Sequence, residues 1–386
     1  MNNYLHDIPT KIYFGKGAIE NLPTALSPFG KNVLLAYGGG SIKRSGLYDE
    51  VMAILKREGC KVSELAGIEP NPRVTSVEKG VELCIANSVD VILAVGGGST
   101  IDCAKAIACG VYWKGMGIWE MCSHKHGLMK ALPLVDILTL SATGSEFDGG
   151  AVISNLATNE KIGNSYTYPY ASICDPTYTF TVSKYQTAAG SADIMSHIFE
   201  GYFSRTMDCD LSDGIAETIL KSTMKNCMIA LKEPDNYAAR ANLMVNSSIA
   251  CSGIPEYGKT RSGWICHGLE HELSAYYDIT HGTGLAILTP RWMRHVLNKD
   301  HSVLDRFLKF ANNVMGIEGN DMETAFKAID ALEDYFRSTG LPMTLSELGI
   351  GEEHFVDMVN HVEKRLDNQF VPLDKEDAIA IYKACL

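Results

Sequence analysis

The sequence lacks the features that would mark a secreted, membrane-bound or nucleic-acid-binding protein. Its 11 cysteines are odd in number and include no C-x-x-C pair, so a disulfide scaffold is not expected and a reducing cytoplasm is favoured. No apolar run reaches the roughly 18 residues that a membrane span needs, and no basic region followed by an apolar one marks a signal peptide. Basic residues are outnumbered, 34 against 46 acidic ones, and the net charge of −12 argues against nucleic acid and anionic membranes as partners.

The composition is otherwise that of a large globular protein, because 46% of the 386 residues are hydrophobic and 21% are charged. Continuous apolar runs typical of buried strands lie at 33–37, 91–95 and 134–140. Helical periodicity is found over 47–56, 74–86, 100–109, 215–231, 238–249, 322–336 and 374–385. Strands alternate with helices only in the first half, so we predict an α/β domain with a parallel, Rossmann-like sheet over residues 1–181. We predict an all-helical domain over residues 182–386.

Two of the apolar runs end in glycine triplets. The stretch VILAVGGGSTID at 91–102 is typical of a strand, a tight turn and a helix start. Glycines let a backbone approach a ligand closely, and the N-terminus of a helix favours a phosphate group. Ser99 is expected to cap this helix, with Asp102 completing an approximate capping box. The spacing is not G-x-G-x-x-G, so the residues alone indicate a phosphate-bearing ligand, or else a plain strand-to-helix turn.

The other triplet bears on the choice of cofactor. Gly38, Gly39, Gly40 and Ser41 follow the strand at 33–37, and two cations, Lys43 and Arg44, come next. Proteins that bind NAD usually place a carboxylate near such a strand end to bind the ribose hydroxyls. A neutral turn beside cations suits a 2′-phosphate better, so NADP is predicted in preference to NAD. The two cations could equally be solvated residues of a helix start.

Histidines at helical spacing provide a second signal. Asp193 and His197 are four residues apart, as are His267 and His271, and His281 follows ten residues later. A carboxylate with several imidazoles is the ligand set expected for Zn²⁺ or Fe²⁺. The pattern is not the H-E-x-x-H of a zinc protease, since Gly268 follows His267. Glu270 and Glu272 are expected to form salt bridges or to support the ligands.

Together these motifs resemble the iron-containing (group III) alcohol dehydrogenases, most closely the NADPH-dependent butanol dehydrogenase and aldehyde reductase branch. The stretches that carry the resemblance are YGGGSIKRSG at 37–46, EPNPR at 69–73, GGGSTIDCAKAIA at 96–108, TLSATGSE at 139–146, TAAGSADIMSHIFEGYFS at 187–204 and CHGLEHELSAYYDITHGTGLAILTP at 266–290. The resemblance implies a dehydroquinate synthase-like fold. It also implies hydride transfer between NADP(H) and a short-to-medium-chain aldehyde or primary alcohol such as butanal or butanol.

The resemblance also implies which residues act. One divalent metal, Fe²⁺ or Zn²⁺, would be bound by Asp193, His197, His267 and His281, while His271 would handle protons and Asp102 would lie near the nicotinamide. The implied cofactor contacts are Gly38, Gly39, Gly40, Ser41, Asn71, Gly97, Gly98, Ser99, Asp102, Thr139, Ser141, Thr143 and Lys161. A homodimer is implied as well, with Lys11 to Phe14 in an N-terminal β-hairpin, and the cysteine usage places it in the cytoplasm.

Three other functions are compatible with parts of this pattern. A metal- and NAD-dependent sugar-phosphate cyclase of the same fold would need a pocket rich in Lys and Arg, for which the helical half offers only the scattered Arg205, Lys225 and Arg261. A metal hydrolase would have no use for the glycine-rich loops. A redox-sensing NADP-binding module would have no use for the metal ligands.

Overall fold

The computed structural model describes residues 1–260 and 263–386, and the chain forms two compact units. The sheet unit comprises Asp7–Val182 and Pro234–Ser248. The helical unit comprises Met1–His6, Ser183–Glu233 and Ile249–Leu386. The main division therefore falls where the strand-rich part of the sequence ends, while two short segments each group with the other half of the chain.

The sheet unit is built on a six-stranded parallel sheet with the strand order β1-β8-β5-β4-β2-β3. An antiparallel hairpin, β6-β7, forms a second sheet. The strands are β1 (Lys11–Phe14), β2 (Asn32–Tyr37), β3 (Lys61–Leu65), β4 (Val91–Gly96), β5 (Leu134–Leu138), β6 (Gly150–Asn155), β7 (Glu160–Ser165) and β8 (Ala171–Cys174). The helices among them are α1 (Leu22–Leu26), α2 (Ser41–Arg44), α3 (Leu47–Arg57), α4 (Val74–Ala86), α5 (Gly98–Gly110) and α6 (Ile118–Ser123).

The central strands are apolar throughout because both faces of the sheet are buried. Leu34 and Ile92 belong to the core on one face, whereas Leu35 and Leu93 belong to the core on the other. Alternate side chains of a strand point to opposite faces, so a strand covered on both sides needs an apolar residue at every position. The predicted fold class, a parallel sheet followed by a helical half, is confirmed.

Three local predictions were wrong. The strand Lys11–Phe14 pairs in parallel with β8 inside the sheet and does not turn back into a hairpin. The third predicted strand ends at Leu138, so Thr139 and Leu140 belong to the loop that follows. The residue that caps α5 is Gly97 and not Ser99, and because glycine has no side chain, no side-chain hydrogen bond caps this helix. The predicted capping box is absent too, since the Asp102 carboxylate bonds to Ser145 and Val152.

The first helix of the helical unit is α7, and Ser183 caps it: its hydroxyl accepts a hydrogen bond from the backbone N–H of Gln186 (3.2 Å). The helices from here to the C-terminus are α7 (Lys184–Tyr202), α8 (Asp210–Lys232), α9 (Tyr237–Ala250), α10 (Ile265–Tyr277), α11 (His281–Lys299), α12 (Leu304–Phe310), α13 (Met322–Ser338), α14 (Phe355–Val362) and α15 (Lys375–Ala384). Most of α9 belongs to the sheet unit, and the other helices of this set belong to the helical unit.

A close approach between α7 and α11 shapes the middle of the helical unit. A Cβ atom on Gly282 would overlap the backbone carbonyl of Ala189, so only glycine lets the two helices come this near. Ala189 lies one turn before Asp193, and Gly282 follows His281 directly. The contact therefore brings the start of α11 to the face of α7 that carries Asp193.

Hydropathy along the helices gives no membrane span. Over residues 1–260 and 263–386, none of the helices is both long enough and apolar enough to cross a bilayer.

Candidate metal centre and cofactor loops

The predicted cofactor residues gather at the carboxyl edge of the sheet. Residues 38–41, 97–99 and 139–143 follow the adjacent strands β2, β4 and β5. The strand order reverses between β2 and β4, because β3 lies on one side of β2 and β4 on the other. Ligands of parallel α/β sheets bind outside the strand ends at such a reversal. The position of these loops is thus the one that a dinucleotide requires.

The loop after β4 is suited to a phosphate group that lies close to its backbone. Gly97 lies just before α5, and Gly98 and Ser99 form its first turn, where backbone N–H groups are not used inside the helix. A Cβ on Gly98 would overlap the side chain of Thr143, so glycine is required where this turn meets the loop after β5. In that loop the Ser141 hydroxyl is buried, and the described residues offer it no hydrogen-bond partner. A bound cofactor is a suitable partner for this hydroxyl.

The loop after β2 has the neutral turn and the two cations that the sequence predicted. Gly40 adopts φ 98°, a left-handed conformation that favours glycine, at the start of α2. The Lys43 ammonium lies 5.1 Å from the Tyr37 ring centroid and 4.6 Å from that of Tyr48. A hydrogen bond with Tyr37 raises the pKa of Lys43, so this residue is a cation at neutral pH. Lys43 is thus packed against the end of β2, where its positive charge could bind a phosphate group.

Two predicted contacts come from outside the three loops. Asn71 lies in the segment after β3 and adopts φ 51°, while Lys161 is a buried residue of β7. Ser154 of β6 pairs with Lys161 and also forms a β-bridge with Arg73. The structure therefore brings the segment of Asn71 to the β6-β7 hairpin that carries Lys161.

Asp102 is buried on α5, and its carboxylate holds the surrounding loop in place. Oδ1 accepts a hydrogen bond from the Ser145 hydroxyl (2.5 Å), and Oδ2 accepts one from the backbone N–H of Val152 (2.9 Å). Burial raises the pKa of Asp102 to about 6. These bonds connect α5 to the loop after β5 and to β6; a direct role of Asp102 in the reaction stays a prediction.

The four predicted metal ligands converge in the helical unit. Asp193 Oδ1 lies 3.6 Å from His197 Nε2, 3.9 Å from His267 Nε2 and 3.7 Å from His281 Nε2. Asp193, His197 and His267 are each less than 7% exposed. His281, the first residue of α11, is partly buried. Helices α7, α10 and α11 therefore bring three imidazole nitrogens to within 3.9 Å of one carboxylate oxygen.

These distances fit a divalent metal. Four ligands at about 2.1 Å in a tetrahedron lie about 3.4 Å from one another, and the separations of the three Nε2 atoms from Asp193 Oδ1 exceed this by about 0.2–0.5 Å. Among the described residues, Asp193, His197 and His267 form one close group of donor atoms, and His281 groups with Glu270 and His271. The donor set of one oxygen and three nitrogens also suits Zn²⁺ or Fe²⁺. The residues present thus have the chemistry that a metal needs, with all three imidazole nitrogens close to the Asp193 carboxylate.

His271 and Trp264 lie beside this cluster. The ring of His271 is centred 5.4 Å from that of His281 and 6.4 Å from that of His267. Trp264 precedes α10 in a left-handed conformation, φ 55°, which is uncommon for a bulky residue. Its ring is centred 4.8 Å from that of His267 and 5.7 Å from that of His197. An imidazole able to carry a proton and an apolar wall therefore both border the cluster.

Sequence reasoning missed Glu200, whose carboxylate contacts His267. Asp193, His197 and Glu200 follow one another at intervals of four and three residues, so they lie on one face of α7, and this spacing was the available signal. Glu270, placed among the supporting residues, bonds to His281, whereas Glu272 bonds to His361 instead.

Sequence reasoning also overlooked the stretch GIPEYGKT at 253–260, which matches the nucleotide-binding pattern G-x-x-x-x-G-K-[ST]. In a phosphate-binding loop this pattern follows a strand and precedes a helix. Here it follows α9, and Ile254–Glu256 forms a short 3-10 turn. The Lys259 ammonium is buried 2.8 Å from Asp213 Oδ1, so it is engaged by a carboxylate and not available to a phosphate.

A parallel sheet with glycine turns at its strand reversal and a helical unit with a carboxylate–histidine cluster are features of proteins that bind a dinucleotide and a metal. Residues 9–176 match the family described as iron-containing alcohol dehydrogenase, and residues 187–386 match the C-terminal part of the same family. The chain belongs to the iron-containing alcohol dehydrogenase family.

Similar proteins cover the chain almost completely. NADH-dependent butanol dehydrogenase A of Clostridium acetobutylicum is 50% identical over 390 residues, 99% of each chain. NADPH-dependent aldehyde reductase YqhD of Escherichia coli is 36% identical over 94% of each chain. The crystal structure of NADH-dependent butanol dehydrogenase A from Thermotoga maritima has a TM-score of 0.94 and 40% identity, and covers 100% of this chain and 99% of that one.

Proposed function

We propose that this protein is a metal-dependent alcohol dehydrogenase that transfers hydride between NADP(H) and a short-to-medium-chain aldehyde or primary alcohol, such as butanal or butanol. The observation that carries the proposal is the convergence of three imidazole nitrogens on Asp193 Oδ1, within 3.6–3.9 Å, in a chain of this family. The names of the similar proteins, two butanol dehydrogenases and an aldehyde reductase, support the substrate class.

The division of roles follows from the chain's own residues. Asp193, His197, His267 and His281 would bind the metal. The backbone N–H groups of the Gly97–Ser99 turn would bind the pyrophosphate of the cofactor. When bound, the divalent cation supplies Lewis-acid polarisation of the substrate oxygen, and the reduced nicotinamide supplies the hydride.

His271 is proposed to move the proton. Its imidazole is buried beside the rings of His267 and His281. It lies on α10, one turn after the proposed ligand His267. An imidazole can gain and lose a proton near neutral pH, which suits it to deliver a proton to the alcohol oxygen as an aldehyde is reduced.

The preference for NADP(H) is the finer part of the proposal. Residues 38–46 contain no carboxylate to bind ribose hydroxyls, and Lys43 and Arg44 add positive charge there. The names of the two butanol dehydrogenases specify NADH, so the two cofactors have to be compared directly. Replacing Lys43 and Arg44 together by alanine is expected to lower kcat/KM for NADPH at least tenfold and to change that for NADH less than threefold. Equal losses with both cofactors would contradict a 2′-phosphate site.

The experiment that tests the function is aldehyde-dependent oxidation of NADPH and of NADH, followed at 340 nm with butanal. The protein is first loaded with Fe²⁺ or Zn²⁺, and the control is the same protein after removal of the metal. We expect cofactor oxidation only with both aldehyde and metal present. Failure of the loaded protein to oxidise either cofactor with any aldehyde tested would refute the proposal.

The described basic residues do not support the alternative function, a sugar-phosphate cyclase, which would need a pocket rich in Lys and Arg. Arg205 bonds to Asp300 (2.5 Å) and to the Phe370 carbonyl, and Lys225 is exposed on α8. Arg261 lies outside the described residues. The homodimer, the cytoplasmic location and the absence of nucleic-acid and membrane partners stay predictions.

A further inference from the structure

Two buried glutamates bond to the outer nitrogens of two proposed metal ligands. Glu200 Oε1 accepts hydrogen bonds from the Nδ1 and the backbone N–H of His267, each at 3.0 Å. The Glu270 carboxylate bonds to His281 Nδ1 and to the Ser274 hydroxyl. Glu200 is 5% exposed and Glu270 is 0% exposed. Each of the two histidines therefore has a carboxylate on Nδ1, while its Nε2 faces Asp193.

These contacts determine which nitrogen of each ring can bind a metal. A neutral imidazole carries its proton on one nitrogen and a lone pair on the other. A carboxylate accepts hydrogen bonds, so Nδ1 must carry the proton and Nε2 must present the lone pair. The Nε2 atoms of His267 and His281 are the ones that lie 3.9 Å and 3.7 Å from Asp193 Oδ1. The hydrogen bonds thus select the tautomer that the cluster needs.

We infer that Glu200 and Glu270 are positioning residues for the metal, an inference that rests on the proposed function. Each carboxylate orients one imidazole, fixes its tautomer and makes its Nε2 more basic. The two would also place negative charge close to a bound divalent cation. They lie on different helices, α7 and α10, and support ligands from α10 and α11, so together they tie three helices to one point.

A purely structural role for the two glutamates would have different consequences. If they served only to connect the helices, replacement would lower stability and leave metal affinity unchanged in the folded protein. Loss of a partner that orients a ligand typically weakens metal binding about 10- to 100-fold. Metal affinity in the folded protein therefore separates the two roles.

The test is competition between the metal-free, full-length protein and a fluorescent chelator for Zn²⁺. We expect Glu200→Ala and Glu270→Ala to raise the Kd for Zn²⁺ about 10- to 100-fold. The glutamine variants keep an oxygen that accepts the Nδ1–H bond but lose the charge, so a rise of about 3- to 10-fold is expected. The matched control is Glu272→Gln on the same helix, whose carboxylate bonds to His361 (2.8 Å), and its Kd should change less than twofold.

A second readout is the tautomer of the histidine rings, from their ¹⁵N chemical shifts in the metal-free protein. We expect His267 and His281 to carry the proton on Nδ1 in the wild type and in the glutamine variants, and to lose this preference in the alanine variants. Should an alanine variant fail to fold, its glutamine counterpart decides, because a weaker affinity at an unchanged tautomer is expected there.

Unchanged Zn²⁺ affinity in folded Glu200 and Glu270 variants would overturn the inference. Tight binding by the wild type would still uphold the proposed metal site in that case. If the wild type itself binds no Zn²⁺ or Fe²⁺, the proposed function fails first and the positioning role fails with it.

Discussion

Replacing Glu146 by glutamine is expected to make the free energy of unfolding, relative to that of the wild type, increase as the pH rises. Glu146 is fully buried in the sheet unit, in the loop after β5, and its Oε1 accepts a hydrogen bond from the Ser248 hydroxyl (2.5 Å). Burial raises the pKa of Glu146 from 4.5 to about 7, because a charged carboxylate is poorly solvated there. The folded protein therefore keeps a proton that the unfolded chain has already lost.

The pKa difference sets the size of the effect. A folded-state pKa of about 7 against 4.5 corresponds to about 3 kcal/mol, at 1.36 kcal/mol for each pKa unit. The protonated carboxyl contributes this stability fully below pH 4.5, and the contribution is lost as the pH rises through 7. Between pH 5 and pH 8 the loss is about 2 to 3 kcal/mol. Glutamine cannot ionise and keeps an oxygen for Ser248, so the variant escapes this loss.

The assay is urea unfolding followed by circular dichroism at pH 5 and pH 8. The free energy of unfolding of Glu146→Gln, relative to the wild type, should increase by about 2 to 3 kcal/mol between the two pH values. The control is Glu78→Gln at an exposed position on α4, where no such increase is expected. Parallel stability–pH curves for the wild type and Glu146→Gln would refute the reasoning.

Three further predictions test the loops and the metal ligands. His267→Ala should lose metal and activity together, whereas His271→Ala should keep its metal and lose about 10²- to 10⁴-fold in kcat; metal analysis beside the 340 nm assay distinguishes them, and loss of metal from both would contradict the division of roles. Gly98→Ala should raise KM for the cofactor more than tenfold, because its Cβ would push the loop after β5 away; an unchanged KM would place the cofactor elsewhere. Ser248→Ala should destabilise the protein by about 1 to 3 kcal/mol, more at pH 8 than at pH 5, since its hydroxyl lowers the pKa of Glu146; urea unfolding measures this, and a loss independent of pH would contradict it.

Elements with continuous or periodic apolar patterns could be predicted closely from the sequence. The helix predicted over 74–86 is α4 as observed, and the strand predicted over 91–95 is β4 but for the final Gly96. In both cases turn residues lie on either side of the pattern, so the sequence itself indicates where the element begins and ends.

The missed strands lack such patterns. The hairpin strand β7 reads EKIGNS, with few apolar residues, and β3 reads KVSEL at the edge of the sheet. Their conformation depends on pairing with another strand, β6 in the case of β7 and β2 in the case of β3, which the pattern within the strand does not reveal. The same holds for β1: its parallel partner β8 lies some 160 positions later, so the sequence could not distinguish it from a hairpin strand.

The residues of the candidate site likewise fall into those that local spacing predicts and those that depend on packing between helices. Asp193 and His197 could be paired from their spacing on one helix, because four residues make about one turn. That Asp193 also meets His267 and His281 depends on how three helices pack, including the contact between Gly282 and Ala189, and only the family resemblance indicated this set.

Metal-dependent hydride transfer is tested most directly by titrating metal-free protein with Fe²⁺ under anaerobic conditions while measuring butanal-dependent oxidation of NADPH at 340 nm. We expect no activity without metal, a linear rise on addition and a break at one equivalent per chain. Full activity before any metal is added, or a rate that does not respond to Fe²⁺ or Zn²⁺, would contradict a catalytic metal at Asp193, His197, His267 and His281.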